Sequence, residues 1–146
     1  MKFISHRGNI NGKSESMENH PLSIQLAMNG GFDVEIDVWL TKDGWFLGHD
    51  EPLYPTSIDF LSKEGLWCHA KNREALEEML LYPRIHCFWH QEDDFTLTSR
   101  NFIWTYPGKE STSNSVCVLL EKDMKIPKKC FGICSDFILD YVEVSK

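Results

Sequence analysis

The sequence lacks any long apolar run, any block of basic residues and any set of cysteine pairs at the spacing of a zinc site. No segment approaches the roughly 18 apolar residues of a membrane-spanning helix, and residues 1–9 turn polar too early for a secretory signal. The formal charge of −7 repels polyanions, so nucleic acid is an improbable partner. We therefore expect a cytoplasmic protein that binds neither membranes nor nucleic acid.

Internal repeats, low-complexity tracts and linkers are absent as well. A chain of 146 residues is long enough to bury one core but short for two, so residues 1–146 are predicted to form a single domain. The apolar fraction of 42% and the charged fraction of 25% are those of a folded globular protein, which argues against disorder. The five cysteines are expected to be reduced residues of the core.

Eight segments have the apolar pattern of strands and are bounded by turn-forming residues. They are "KFISH", "DVEIDVWL", "WFLGH", "LWCHAK", "IHCFWH", "NFIWTY", "SVCVLLE" and "FGICSDFIL". The dipeptide Asp43-Gly44 predicts a turn between the second and third strands, because glycine readily adopts positive φ.

Two helices are predicted between these strands. The first runs from about Pro21 to Asn29, with Leu22, Leu26 and either Met28 or Ile24 on one apolar stripe, and the second is "NREALEEMLLYP". Their positions after the first and fourth strands favour a (β/α)8 barrel, although such barrels usually need about 250 residues. We therefore predict a reduced (β/α)8 TIM-type barrel in which several helices are replaced by loops. The alternative is an open sheet completed by a partner subunit in a homo-oligomer.

The segment "DVEIDVWL" places two carboxylates on one face of a strand. Glu35 and Asp37 are two residues apart, so their backbones are roughly 6 to 7 Å apart and their side chains point the same way. Taken alone, the pattern favours a strand with its polar face in water, because such strands are common. If both acids point inward, like-charge repulsion and desolvation require a cation between them.

Ionisable residues recur at or near the carboxyl ends of the predicted strands, where enzymes with parallel strands place their active sites. These residues are His6, Arg7, Glu35, Asp37, His49, His69, Lys71, His90 and Glu121. We therefore expect one cluster of functional residues at one end of the sheet.

The run "ISHRGN", followed by "ENHPLSIQLAMNGGFDVEIDVWLTKDGWFLGHDEPL", resembles the glycerophosphodiester phosphodiesterase family. That family has HRG near its first strand, EN at its first helix, ExD in the second strand, a TKDG turn and HD after the third strand. The resemblance covers residues 4–53 closely, and "GICSDFI" at residues 132–138 is similar to the family's last strand. It is weaker over residues 54–131, which are shorter than the family's middle region.

The resemblance implies roles for six residues. By this match, His6, His49, Arg7 and Glu18 belong to the catalytic machinery, and Glu35 and Asp37 bind the metal ion. Neutral imidazole accepts a proton near neutral pH and imidazolium donates one, while a guanidinium grips two phosphate oxygens at once. Arg7 is therefore also expected to bind substrate.

The segment "LWCHAK" departs from the family pattern, which usually has Glu-x-Lys in the fourth strand. His69 stands where the family has its third metal ligand, a Glu, and Lys71 retains the phosphate-binding position. We expect a divalent cofactor, Mg²⁺ or Ca²⁺ by resemblance, although an imidazole ligand also permits a transition metal. Glu121 and His90 are alternative third ligands.

The predicted function is metal-dependent hydrolysis of a small polar phosphodiester, such as a glycerol or sugar phosphodiester, by two histidines. Trp104 is the best candidate among the five tryptophans for a wall of the substrate pocket, although burial in the core is the common fate of tryptophan. Two alternatives stay open: a non-catalytic barrel that binds a phosphorylated ligand, and a phospholyase that forms a cyclic phosphate.

Overall fold

All eight predicted strand segments form strands in the computed structural model, which describes residues 1–146. Two additional strands are very short. The ten strands are β1 (Lys2–His6), β2 (Asp33–Thr41), β3 (Gly44–Leu47), β4 (Tyr54–Pro55), β5 (Leu66–Ala70), β6 (Cys87–Trp89), β7 (Phe95–Leu97), β8 (Ile103–Thr105), β9 (Ser115–Val118) and β10 (Gly132–Ser135). The four helices are α1 (Pro21–Asn29), α2 (Ile58–Leu61), α3 (Arg73–Met79) and α4 (Ile138–Val144).

The strands join into one curled mixed sheet. Strands β8, β9, β10, β1, β2, β5 and β6 are parallel neighbours in that order, whereas β3, β4 and β7 pair antiparallel with their neighbours. Strand β2 extends beyond the end of β1, and β3 pairs with the part of β2 that β1 does not reach. There Val38 pairs with Leu47 of β3 on one side and with Ala70 of β5 on the other. The chain leaving β3 therefore lies next to the end of β1.

The predicted reduced (β/α)8 TIM-type barrel is wrong. Such a barrel alternates parallel strands with helices, but this chain has antiparallel pairs at β2–β3, β3–β4 and β7–β8 and only four short helices. The two-residue turn after Thr41 explains the first pair, because parallel neighbours need a crossover of a dozen or more residues. Part of the last predicted strand segment, "FGICSDFIL", instead forms the start of α4.

The sheet has an apolar layer on each face. On the outer face Val34, Ile36 and Val38 are fully buried in a cluster that also includes residues of α1 and α3. On the concave face, side chains from seven different strand positions form a second cluster. Its members are Ile4, Trp67, Phe88, Trp104, Val116, Val118 and Cys134. The contact of Phe88 with Trp104, at 4.6 Å between ring centres, joins β6 to β8 although these strands do not pair.

Helix α1 forms where the sequence predicts it, but a different face is buried. Ser23, Ile24 and Ala27 face the core, while Leu22 and Leu26 are more than half exposed. The cause is the close approach of α1 to Gly8, where an added Cβ would lie 3.1 Å from atoms of residues 23 and 24. The small side chain of Ser23 allows this contact, which holds the turn after β1 in place. None of the four helices has the length and apolar character needed to cross a membrane.

Candidate functional site

The predicted site residues meet at the carboxyl ends of the parallel strands, on the concave side of the sheet. They line a cavity of about 300 Å³ that continues into a more open cleft of about 770 Å³. The predicted residues that line the cavity are His6, Arg7, Glu35, His49, His69, Lys71, His90 and Trp104. Glu18 lines the adjoining cleft.

Glu35 and Asp37 point inward, as the cation interpretation of their strand requires. Glu35 is 2% exposed and Asp37 is fully buried. Sheet register places Glu35 beside His6 and Asp37 beside His69. One oxygen of each carboxylate, Glu35 Oε2 and Asp37 Oδ1, has no hydrogen-bond partner. An unpaired buried carboxylate oxygen is costly, so these two atoms mark a place where a cation belongs.

His69 completes the cluster from the neighbouring strand β5. Its Nδ1 lies 3.1 Å from Asp37 Oδ1 and 3.7 Å from Glu35 Oε1. Its Nε2 lies 2.8 Å from the carbonyl oxygen of His90, which can only accept a hydrogen bond, so Nε2 carries a hydrogen. The three residues bring their ligand atoms within 4.8 Å of one another. The donor set of two carboxylates and one imidazole fits a divalent cation.

Asn19 fixes the orientation of Asp37. Its side-chain nitrogen donates to Asp37 Oδ2 at 2.8 Å, and its side-chain oxygen accepts from the backbone N–H of Asp37 at 2.8 Å. Asn19 has a φ of 61°, and its own N–H donates to the carbonyl oxygen of Arg7, which has a φ of 57°. Two residues in the left-handed region therefore hold one carboxylate, a form of strain that is common at functional sites.

Arg7, Glu18 and Lys71 surround the buried carboxylates with charge. Arg7 Nε lies 3.1 Å from Asp37 Oδ2, and Nη1 donates to Glu18 Oε1 at 3.3 Å. Lys71 Nζ lies 4.0 Å from Asp37 Oδ1. Burial would raise the pKa of Asp37, but His69 and Arg7 outweigh burial and hold that pKa below its usual range. Asp37 is therefore ionised at neutral pH.

His6 forms a hydrogen-bonded pair with Asp136. Its Nδ1 lies 2.9 Å from Asp136 Oδ1, which also accepts a hydrogen bond from Asn9 at 2.8 Å. Its Nε2 lies 3.7 Å from Glu35 Oε2. Burial lowers the pKa of His6, but the bond to Asp136 and the charge of Glu35 outweigh it, so the pKa is raised. The pair orients the ring and leaves Nε2 directed toward the carboxylate cluster.

His49 belongs to a second such pair, on the loop after β3. Its Nδ1 lies 2.7 Å from Asp50 Oδ1, and its side chain is 38% exposed. The loop is held by Trp39, whose Nε1 donates to the carbonyl oxygen of Gly48 at 2.7 Å. Only glycine fits at position 48, because an added Cβ would lie 2.0 Å from the carbonyl oxygen of Glu51. A tight loop thus places a second histidine, more exposed than His6, on the lining of the same cavity.

Negative charge exceeds permanent positive charge in this region. The charged side chains at the cluster are the carboxylates of Glu18, Glu35, Asp37 and Asp136 and the cations of Arg7 and Lys71. Four carboxylates against two permanent cations leave a surplus that protonated histidines or a bound cation must neutralise. The site therefore has the electrostatics of a cation site.

The remaining candidates have less direct positions. Trp104 is 4% exposed and packs mainly on Phe88 and Trp67, so only its edge reaches the cavity. His90 lines the cavity and pairs with Asp93, with Nδ1 to Oδ1 at 2.8 Å. Glu121 is exposed in the adjoining cleft, outside the cluster of potential metal ligands. Of the three predicted third ligands, His69 alone joins the two carboxylates.

Two residues of the site escaped prediction. Asn19 is the second residue of the EN motif, and Asp136 follows the last strand in "GICSDFI", so both lie inside segments that carry the family resemblance. Their positions in those motifs are the signals that could have found them. Neither residue type suggests by itself a bond to Asp37 or His6, because each partner lies far away in sequence.

Comparisons with known proteins identify no relative of this chain. No protein-family model, curated protein or solved structure matches it. The resemblance to the glycerophosphodiester phosphodiesterase family therefore rests on the quoted motifs and stays a prediction. What the site can do must be inferred from its own geometry.

Proposed function

We propose that the protein is a metal-dependent phosphodiesterase that hydrolyses a small polar phosphodiester by general acid–base catalysis. The observation that carries this proposal is the convergence of Glu35, Asp37 and His69, with two unpaired buried carboxylate oxygens, beside two histidines. A site that only binds a phosphoryl group needs cations but no pair of acid–base groups. Two imidazoles, each oriented by a carboxylate, therefore favour catalysis over binding.

Glu35, Asp37 and His69 would hold the divalent cation. When bound, such a cation polarises a phosphoryl oxygen and offsets the negative charge that develops during phosphoryl transfer. Arg7 and Lys71, both within 4.0 Å of Asp37, add positive charge at the same place. Glu18 holds the guanidinium of Arg7 in its orientation through Nη1. With the cation bound, these positive charges would together favour an anionic group at this end of the cavity.

His6 and His49 supply the proton transfers. One of the two takes the proton of the nucleophile, either water or a substrate hydroxyl next to the phosphate, and the other protonates the leaving alkoxide. Asp136 and Asp50 accept from Nδ1 of their histidines and so leave each Nε2 for the reaction. This arrangement permits both transfers in one cavity without a change in the fold.

The cavity suits a compact polar alcohol. Its volume of about 300 Å³ is at the small end of ligand pockets, and only four of its 13 lining residues are hydrophobic. A long acyl chain would find few apolar partners here. A glycerol or sugar phosphodiester is therefore the preferred substrate class.

The test is a panel of phosphodiesters assayed with several divalent ions, comparing the parent protein with His6→Ala. We expect turnover that is abolished by a chelator and restored by metal, and that falls by at least about 100-fold in His6→Ala. Asp43→Asn, which changes an exposed turn residue outside the cavity, serves as the matched control and should keep parental activity. Full activity after chelation would refute the metal-dependent mechanism.

Phosphorus NMR of the products separates hydrolysis from cyclisation. A phosphomonoester as the first product supports water as nucleophile, whereas a cyclic phosphate would assign the protein to the phospholyases. If no phosphodiester in the panel turns over, while inorganic phosphate still binds, the protein is a phosphoryl-binding protein and the proposal fails.

A further inference from the structure

We propose that the cluster of Glu35, Asp37 and His69 is built for a transition-metal dication such as Mn²⁺, Fe²⁺, Co²⁺ or Zn²⁺, and selects it over Mg²⁺ and Ca²⁺. The selecting group is the imidazole of His69. This inference rests on the proposed function only in assigning the cation to these three residues. It makes a separate claim about which metal they take.

The cluster is more than a group of acids at a surface. Glu35 and Asp37 are at least nine-tenths buried, and each has one oxygen without a hydrogen-bond partner. Glu35 Oε2 lies 3.7 Å from Nε2 of His6, and Asp37 Oδ1 lies 3.1 Å from Nδ1 of His69. Acidic residues on a solvated face would satisfy such oxygens with water. A cation bound inside the protein would satisfy both oxygens.

His69 presents a lone pair to the carboxylates when its ring is neutral. Because Nε2 donates to the carbonyl oxygen of His90, the neutral ring carries no hydrogen on Nδ1. Metal-ligating histidines are held in this way, with one ring nitrogen on the metal and the other donating to a carbonyl or carboxylate. Asp37 Oδ1 makes no hydrogen bond although Nδ1 lies only 3.1 Å away. The contact thus has the spacing of two ligands of one ion without the geometry of a hydrogen bond.

The spacing of the donor atoms fits a small coordination sphere. Two ligand atoms about 2.1 Å from one ion are separated by about 3.0 Å at a right angle and by about 3.4 Å at a tetrahedral angle. Nδ1 of His69 lies 3.1 Å from one carboxylate and 3.7 Å from the other. Ca²⁺ takes six to eight oxygen ligands at about 2.3 to 2.6 Å. One imidazole and two carboxylates supply too few oxygens and the wrong type of third donor for that ion.

The imidazole cannot easily leave the cluster. It is stacked on Phe88, with ring centres 5.2 Å apart and planes 9° from parallel, and its side chain is 13% exposed. Its backbone pairs with Asp37 in adjacent parallel strands. Replacing its nitrogen by a water ligand would require movement of a strand residue packed on an aromatic ring. The nitrogen donor is therefore a fixed part of the site.

The test is calorimetric titration of the metal-free protein with Mn²⁺, Zn²⁺, Mg²⁺ and Ca²⁺, comparing the parent with His69→Glu. Transition metals bind most sites more tightly than Mg²⁺ does, so a preference for Mn²⁺ in the parent alone is not informative. The informative quantity is the change in the ratio of Mn²⁺ to Mg²⁺ affinity between the parent and His69→Glu. We expect the ratio of the Mn²⁺ and Mg²⁺ affinities to fall by at least about tenfold in His69→Glu, because an oxygen donor replaces nitrogen. Gln91→Glu adds one negative charge to the lining of the same cavity, outside the cluster, and should leave the ratio unchanged.

Pulsed EPR of the Mn²⁺-loaded parent gives a readout that does not depend on folding of a variant. Coordination by Nδ1 should produce nitrogen-14 modulation, and His69→Gln should lack it. Absence of that modulation in the parent, or an unchanged affinity ratio in His69→Glu, overturns the inference. Failure to bind any metal overturns it together with the cation of the proposed function. The expected metal preference without turnover of any phosphodiester upholds the inference and refutes the proposed function alone.

Discussion

Lowering the pH from about 8 to about 6 is expected to weaken binding of a divalent cation at Glu35, Asp37 and His69 by about 100-fold. The cause is competition between the cation and a proton for Nδ1 of His69. Burial lowers the pKa of this imidazole, but the carboxylates of Asp37 and Glu35 outweigh burial and raise the pKa to about 9. At any pH below that value the metal-free site holds a proton that the metal must displace.

The displacement of one proton from His69 determines how strongly the metal affinity depends on pH. Below the pKa, the apparent dissociation constant rises tenfold for each unit of pH, which over two units corresponds to about 2.7 kcal/mol of binding free energy. Asp37 does not contribute to the pH dependence of the dissociation constant in this range, because its pKa is held below the usual value and it stays ionised. Calorimetric titration at several pH values between about 6 and 8 measures the slope directly.

His69→Gln isolates the contribution of the imidazole. This variant retains His6 and every carboxylate of the site, so the difference in slope between parent and variant reports His69 alone. The pH dependence of the stability of the metal-free protein provides an independent test of the raised pKa of His69. Because the folded-state pKa of His69 is raised, its contribution to the stability of chelated protein is complete below about pH 6.5 and is lost as the pH rises through about 9. A pH-independent metal affinity in the parent would refute this reasoning.

Three further predictions concern single residues outside the metal cluster. Burial lowers the pKa of His86 to about 4, so its stabilising contribution is complete above about pH 6.5 and is lost as the pH falls. Urea unfolding should therefore show about 2 kcal/mol less stability at about pH 5 than at about pH 7, and His86→Gln should remove most of that loss. Gly8→Ala should destabilise the fold by about 1 to 3 kcal/mol more than Gly31→Ala, since both glycines have nearly the same positive φ but only at Gly8 would the added Cβ press against α1. Equal losses in urea would contradict that contact. Asp136→Asn should lower the pKa of His6 in an NMR titration of the metal-free protein, and an unchanged pKa would show that the pair does not tune this histidine.

The strands were predictable because their signal is local. Alternation along a segment such as β2 depends only on which residues are two apart, and the same period places Glu35 and Asp37 on one face of the strand. The path of the chain between strands is not encoded in that way. An apolar run of moderate length fits a buried strand and a buried helix equally, which is how residues of α4 were assigned to a strand.

Cross-strand register explains why the third metal ligand was only a candidate in the sequence. His69 meets Asp37 because β5 pairs with β2 in one register out of several. A shift by one residue would place His69 on the opposite face and remove it from the cluster. Resemblance of the "HAK" segment to a family motif suggested the position, but only the sheet brings Nδ1 within 3.7 Å of both carboxylates.

The backbone at Arg7 and Asn19 explains why the sequence did not predict the contact between Asn19 and Asp37. Each residue has positive φ, a conformation that costs about 1 to 3 kcal/mol at a residue other than glycine, so local propensity disfavours both. The two are joined by a backbone hydrogen bond of 2.8 Å, and Asn19 offsets part of the strain through its two bonds to Asp37. Packing of α1 against Gly8 then holds the turn that contains Arg7. The carboxylate cluster is therefore assembled by tertiary contacts that override local preference, and it should lose its geometry when α1 detaches from the sheet.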